Sequence, residues 1–352
     1  MRPSSVPFLQ DDLNIEGLIP ALKAQAVSLE EKNYMMVFGE RLINSRDYAR
    51  AIYKIIDIWD RHHDREVLLS YIKENFIFLE VYGQNKWGEV HLTAYFEPVI
   101  EGSLSPSERF SQALYKKPED LVVIDLEDFD PKYSDDRKMR GKIANGRLKP
   151  YYSREEISLK GVLAGRGLEI CWVDPIDGFF LQIQGSGTIV LDDGSELVLN
   201  YAEKNGHPYR AIGRFIRKYY PDQKIDLERI ETFLRQQDFN KMHYYLNLNP
   251  SYVFFRIAEQ NAVTSSGLPA TSGRTIATDK RFFPEGAIAY LEFPDPDIED
   301  KKIRRIVLDQ DTGGAIKGGG RVDLFWGRGY SAKYVAGRIN HNGRLLYLFP
   351  ST

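Results

Sequence analysis

"LDQDTGGAIKGGGRVDLFWG", Leu308 to Gly327, is the stretch on which the reading of this chain turns. Six of its residues are glycine, and Asp309, Asp311 and Asp323 stand among apolar runs on either side. A phosphate-binding P-loop needs Gly-Lys-Ser/Thr entering a helix. Lys317 is followed instead by Gly318, Gly319 and Gly320 and then by a strand-like run, so hydroxyl and helix are both missing. Asp311-Thr312-Gly313 repeats the signature of aspartic proteases, but those enzymes share a proton between two such loops, and the chain holds no second copy. What remains is a strand, a glycine turn and a second strand. In "RVDLFWG" Arg321, Asp323 and Phe325 take one face and Val322, Leu324 and Trp326 the other. Glycines at 318–320 permit left-handed backbone and close approach of another chain.

Outward from this stretch, composition narrows the function. The chain has 352 residues, 43% hydrophobic and 28% charged, which is ordinary globular material with room for about two domains. Its 47 basic and 50 acidic residues are mixed along the chain and sum to −3, without the basic excess or stripe of a nucleic-acid binder. No run reaches the ~18 apolar residues that span a bilayer. The start, "MRPSSVPFLQDDLN", lacks the apolar core of a signal peptide, which leaves a cytoplasmic protein or the mature part of an exported one. The one cysteine, Cys171 in "LEICWVDP", allows no intramolecular disulfide and no cysteine-based zinc cage, and reads as core. His62 and His63 have no third ligand at metal spacing, so neither a metal nor another cofactor is expected.

The first ~75 residues read as helices from their apolar spacing. In "SRDYARAIYKIIDIWDRH" a serine caps the start, and Tyr48, Ile52, Ile55, Ile56 and Trp59 share a side. At Val81 the character changes. "HLTAYFEP" alternates, with His91, Thr93, Tyr95 and Glu97 on one face and Leu92, Ala94 and Phe96 on the other, a strand closed by Pro98. From Glu101 to Leu246 the chain is mixed. A charged, loop-like stretch comes first, "EDFDPKYSDDRKMRGKIANGRLKPYYSREEI". Two strand-like runs joined through "DDGS" follow in "DGFFLQIQGSGTIVLDDGSELVLNY", and then helical pieces. After "NLNPSYVFFRI" the chain is strand-rich to its end. The reading is a mainly β protein: one domain from both ends, 1–101 with 247–352 and including the helical N-terminus, and a β-rich domain inserted at 102–246.

Here the residues carry a resemblance. "DTGGAIKGGGRVDLFWG" and "SGRTIATDKRFFP" look like the C-terminal 3D domain, named for three aspartates, which would be Asp279, Asp311 and Asp323. Upstream, "LTAYFEP", "CWVDPIDGFFLQIQGSGT", "NGHPYRAIG" and "NPSYVFFR" resemble, in order, the membrane-bound lytic murein transglycosylase A (MltA) family. The resemblance implies a six-stranded double-psi β-barrel built from the two ends, with the inserted domain as the other wall of a glycan groove. It implies cleavage of the β-1,4 bond between N-acetylmuramic acid and N-acetylglucosamine in peptidoglycan, leaving a 1,6-anhydro ring. It further implies a periplasmic, outer-membrane location, with glycan strands and other cell-wall enzymes as partners.

The chemistry sets how many carboxylates to expect. A hydrolase needs two; when the muramic C6 hydroxyl attacks C1 of its own sugar, one suffices. By the resemblance that acid/base is Asp323, with Asp311 orienting it or raising its pKa. A general acid must be protonated at working pH, so desolvation or a nearby like charge is required; Lys317 and Arg321 would oppose this if they pointed inward. Both are candidates for holding substrate, as is Asp279. Thr93, Tyr95 and Glu97 share one face, and Glu97 is the alternative carboxylate. In "FFLQIQGSGT" Gln182 and Gln184 share a strand face where amides suit sugar hydroxyls and acetamido groups, beside Gly185 and Ser186. Asp174, Asp177 and His207 read as turn residues. Two other functions fit the same residues: a two-carboxylate glucan hydrolase, and a non-catalytic peptidoglycan binder.

Overall fold

A computed structural model describes residues 1–6, 8–84, 86–130, 132, 138–223, 225–258 and 263–351. The chain divides into two units, Met1–Phe96 with Val263–Gly327 and Arg338–Thr352, and Glu97–Ala262 with Arg328–Gly337. The sequence reading drew the insertion at 102–246. Strand pairing carries the second unit further at both ends, because Val99–Ser103 and Val253–Ala258 are strands of its sheet.

The first unit opens with helices Leu18–Lys32, Ser45–His62 and Arg65–Asn75. The amphipathic spacing is realised: Tyr48, Ile52, Ile55, Ile56 and Trp59 are all buried. The cap differs. Asn44, not Ser45, accepts the Arg46 N–H, while the Ser45 hydroxyl donates to the carbonyl of Leu29. Tyr48 ties the helix to the sheet behind it, donating to the Leu348 carbonyl and accepting from the Ile288 N–H.

That sheet has eight strands, six of which close on themselves in the order Glu89–Glu97, Asn340–Pro350, Ile288–Pro294, Lys302–Asp311, Thr275–Ala277, Arg321–Arg328 and back to Glu89–Glu97. Apolar side chains on both faces are packed away, among them Leu92, Ile276, Leu291, Leu308, Leu324 and Leu345, all essentially inaccessible. The shortest strand matters most. Thr275–Ala277 runs parallel to Lys302–Asp311 and antiparallel to Arg321–Arg328, so Ala277 pairs with Asp311 on one side and Asp323 on the other. Two acids twelve residues apart in sequence are thereby set on strands that flank one residue.

The second unit holds a six-stranded sheet in the order Val253–Ala258, Glu196–Lys204, Gly187–Val190, Val99–Ser103, Glu169–Val173, Gln112–Tyr115. The "DDGS" hairpin is present, joining Gly187–Val190 to Glu196–Lys204 with Gly194 at φ +81°. Cys171 is in the core. Two local expectations fail. The charged stretch after Glu127 contains a hairpin, Lys138–Ala144 against Arg147–Pro150, turned by Asn145 and Gly146 at φ 52° and 71°; positive φ at both central residues marks the Asn-Gly turn that suits hairpins. Residues 131 and 133–137 of that stretch lie outside the described residues. The run "FFLQIQ" is no strand. It belongs to the helix Pro175–Gln184, capped by Asp174, which accepts from the N–H groups of Ile176 and Asp177, and closed by Gly185 at φ +86°. Asp, then Pro, then a left-handed Gly is a complete set of start and stop signals, and it overrides an alternation only a few residues long.

Candidate active site

The strand Glu89–Glu97 alternates as its sequence requires, and Thr93 and Tyr95 emerge together on one face. Each holds one acid. The Thr93 hydroxyl donates to Asp323 Oδ1 at 2.7 Å, and the Tyr95 hydroxyl donates to Asp311 Oδ2 at 2.8 Å. Thr93 Oγ1 also accepts from Arg321 Nη2 at 3.0 Å. Arg321 therefore reaches the acid through a hydroxyl, and a single line runs from guanidinium to hydroxyl to carboxylate.

Asp323 is the perturbed member of the group. Desolvation pushes its carboxyl up to about 6, against the Thr93 hydrogen bond and the Arg321 charge, with the Asp311 carboxylate adding to the rise. Burial thus outweighs the opposing Arg321 charge. Lys317 is exposed. Asp311 is held at both oxygens: Oδ1 accepts from the N–H groups of Ser265 and Thr312, both at 2.9 Å, while Oδ2 takes the Tyr95 bond. Burial and the Asp311 carboxylate hold the Tyr95 phenol well above its ordinary pKa, so it remains a donor. Its ring packs against Phe325 at 5.2 Å between centroids.

The third aspartate of the motif does different work. Asp279 is buried, binds Arg281 through both carboxylate oxygens, and accepts the Gly318 N–H at 2.7 Å. The Arg281 hydrogen bond, with help from Gly318, lowers its pKa to about 2 against the cost of burial. It anchors the glycine run. The sequence alone gives no role to a further acid: Asp309, two residues before Asp311 and wholly buried, accepts from Tyr347 and Thr278 at Oδ2, and desolvation raises it to about 7. Its neighbours along "IVLDQD" are apolar on one side only, so nothing in the sequence separated it from Asp311.

The remaining candidates lie in the second unit. Glu97 is buried, accepting from Thr188 Oγ1 at 2.8 Å with Arg328 Nε at 3.5 Å. Gln182 and Gln184 do not share a strand face. On the helix Gln182 is 4% exposed and Gln184 half-buried. Gly185 has open space where a Cβ would be, and Ser186 is half-buried. Asp174 caps the helix and, with Asp177 and Glu231, binds Arg235. His207 Nε2 bonds the Tyr151 carbonyl.

Comparison with known proteins agrees with this geometry. Residues 91–256 match the MltA specific insert domain and residues 274–349 the 3D domain. Over 274 residues the chain is 30% identical to the membrane-bound lytic murein transglycosylase A of Escherichia coli K12, covering 76% of this chain and 67% of the relative. The crystal structure of a membrane-bound lytic murein transglycosylase from Agrobacterium tumefaciens superposes with a TM-score of 0.81 at 27% identity, covering 99% of this chain and 97% of that one. That of Escherichia coli MltA with bound chitohexaose, at 23% identity and a TM-score of 0.72 over 100% of this chain and 93% of that one, shares the fold. The chain belongs to the membrane-bound lytic murein transglycosylase A family.

Proposed function

We propose that this protein is a lytic transglycosylase of murein that cleaves the β-1,4 bond between N-acetylmuramic acid and N-acetylglucosamine with Asp323 as its single acid/base. The observation that carries the reading is one carboxyl raised to about 6, beside a second carboxylate already committed to three donors. Asp323 in its acid form protonates the glycosidic oxygen as the bond to C1 breaks. The resulting carboxylate then takes the proton of the muramic C6 hydroxyl as that oxygen bonds to C1. The proton count closes, the 1,6-anhydro ring forms, and no water is consumed. An acid poised near working pH is what both half-steps need. Asp311 already accepts three hydrogen bonds that hold it in place, and on this reading it raises Asp323.

The family's named activity in Escherichia coli supports the substrate class. The same family likeness supports reading the closed run of six strands as the double-psi barrel, built from the two ends of the chain around an insertion. Arg321 and Lys317 in the first unit, and Gln184, Gly185 and Ser186 in the second, are the groups we assign to sugar. The relatives' description as membrane-bound supports a place in the cell envelope, on its periplasmic face; among the described residues no helix is long and apolar enough to cross a membrane. Mass spectrometry of fragments released from purified sacculi tests the reaction. Anhydro ends, one water lighter than hydrolytic ones, are expected. Reducing ends would instead indicate a two-carboxylate hydrolase, and binding without release a scaffold.

A further inference from the structure

Among the exposed aromatic side chains of the first unit are Tyr82, Trp87 and Phe282, at 55%, 37% and 54% exposure. The backbone of Tyr82 and the ring of Phe282 both approach the glycine run. Tyr82 and Trp87 are bridge partners, with ring centroids 5.3 Å apart and planes at 70°. Gly83 beside them admits no other residue, since a Cβ there would lie 1.6 Å from the Glu89 carbonyl oxygen. Arg2 packs over the indole of Trp87 at 4.3 Å, and Glu80, itself buried, fixes that guanidinium at 2.6 Å. Gly319 lies between the Tyr82 backbone and the Phe282 ring: a Cβ there would meet the Tyr82 carbonyl oxygen at 3.3 Å and the ring at 3.7 Å. The Gly320 carbonyl accepts the His91 N–H at 2.7 Å, which locks the run to the strand of Thr93. From Gly320 to Asp323 is three residues of strand, roughly 10 Å.

Large apolar rings left in water, braced from beneath and grouped at one end of a catalytic strand, mark a ligand surface and not a packing accident. The bracing also removes ordering cost that a loose ring would incur on binding. The chemistry that fits is a β-linked pyranose, whose axial C–H groups form an apolar face that lies flat on an aromatic ring. We infer that Tyr82, Trp87 and Phe282 form a sugar-stacking platform that holds N-acetylated β-1,4 glycan beyond the reacting linkage. This inference rests on the proposed action on glycan strands. The platform lets the enzyme distinguish a long strand from a fragment too short to reach it, and Gly319 lets backbone come close to the Phe282 ring.

The test uses the full chain carrying Asp323→Asn, so that ligand is not consumed, with chitohexaose as probe and affinity read by calorimetry. Trp87→Ala in that background should weaken binding about tenfold, as expected for a buried aromatic anchor, and Trp87→Phe should recover most of it. Phe282→Ala, on the other flank of Gly319, should weaken it too, and it serves if Trp87→Ala lowers the melting temperature. Unchanged affinity in the folded alanine variants, a phenylalanine variant no better than alanine, or no binding of chitohexaose by the parent would overturn the platform. The sacculus digest with the unmutated protein is run alongside. If fragments with anhydro ends appear while the aromatic variants bind normally, the platform fails and the reaction stands. If no fragments appear while affinity falls as described, the platform stands and the reaction fails.

Discussion

Thr93→Val keeps the branched shape at position 93 and deletes the hydroxyl that donates to Asp323 Oδ1 at 2.7 Å. A hydrogen bond to a charged acceptor contributes about 1.5–3 kcal/mol, and each pKa unit corresponds to about 1.4 kcal/mol. Without that donor the ionised form of Asp323 loses support, so its pKa should climb from about 6 to roughly 7–8. Arg321, which also bonds Thr93 Oγ1, works in the opposite direction if released onto the carboxylate, so the companion variant is Thr93→Val with Arg321→Gln. The catalytic form is the protonated one, and activity is lost as pH rises through the folded pKa. At pH 7 the protonated fraction should move from roughly a tenth to half or more. The assay is release of soluble fragments from sacculi as a function of pH, read as kcat/KM. The basic limb is expected to shift upward by about one to two pH units, even if the maximal rate falls because the acid is less well oriented. A limb that stays in place, or moves down, in a variant with unchanged melting temperature would refute the hydroxyl-to-acid coupling.

Three further outcomes follow from the acids of this unit. Asp323 ionises at 3.8 when unfolded and about 6 when folded, so the folded state holds its proton longer and stability is lost as pH rises from about 4 through 6. Asp323→Asn escapes this and should be more stable at neutral pH by up to about 3 kcal/mol. Asp309→Asn, at about 7 in place of 3.8, should gain up to about 4 kcal/mol above pH 7, since the amide oxygen still accepts from Tyr347 and Thr278; denaturant titrations that show a loss for both would contradict the burial account. Asp279→Ala frees the Gly318 N–H, and limited proteolysis should then cut within 313–320; resistance equal to that of the unmutated chain would mean the run needs no anchor.

Much of this site was visible in the residues themselves. Strict alternation in "HLTAYFEP" placed Thr93 and Tyr95 on one face, and that face holds Asp323 and Asp311. The glycine run before "RVD" pointed to a close approach, which Gly320 makes with Gln84: a Cβ there would stand 2.9 Å from its nitrogen. What was not visible has physical reasons. Period-two and helical spacing cannot be told apart over the few apolar residues of "FFLQIQ", and the caps at Asp174 and Gly185 were the better guide. Asp279 looked like its two companions because its difference lies in a partner, Arg281, and in the N–H of a loop thirty-nine residues on. The flanking of Ala277 by both acids depends on a three-residue strand, too short to show any period.

The central claim is that one carboxyl performs both proton transfers, and turnover of sacculi by Asp323→Asn, Asp311→Asn and Glu97→Gln tests it most directly. Asn at 323 fills the same space but neither gives nor retrieves a proton at neutral pH. Its rate should fall by at least the ~10²–10⁴ typical of general acid–base catalysis while binding to sacculi persists. Asp311→Asn should fall less, and Glu97→Gln should keep the anhydro product. A folded Asp323→Asn that still releases anhydromuropeptides near the unmutated rate would contradict the account.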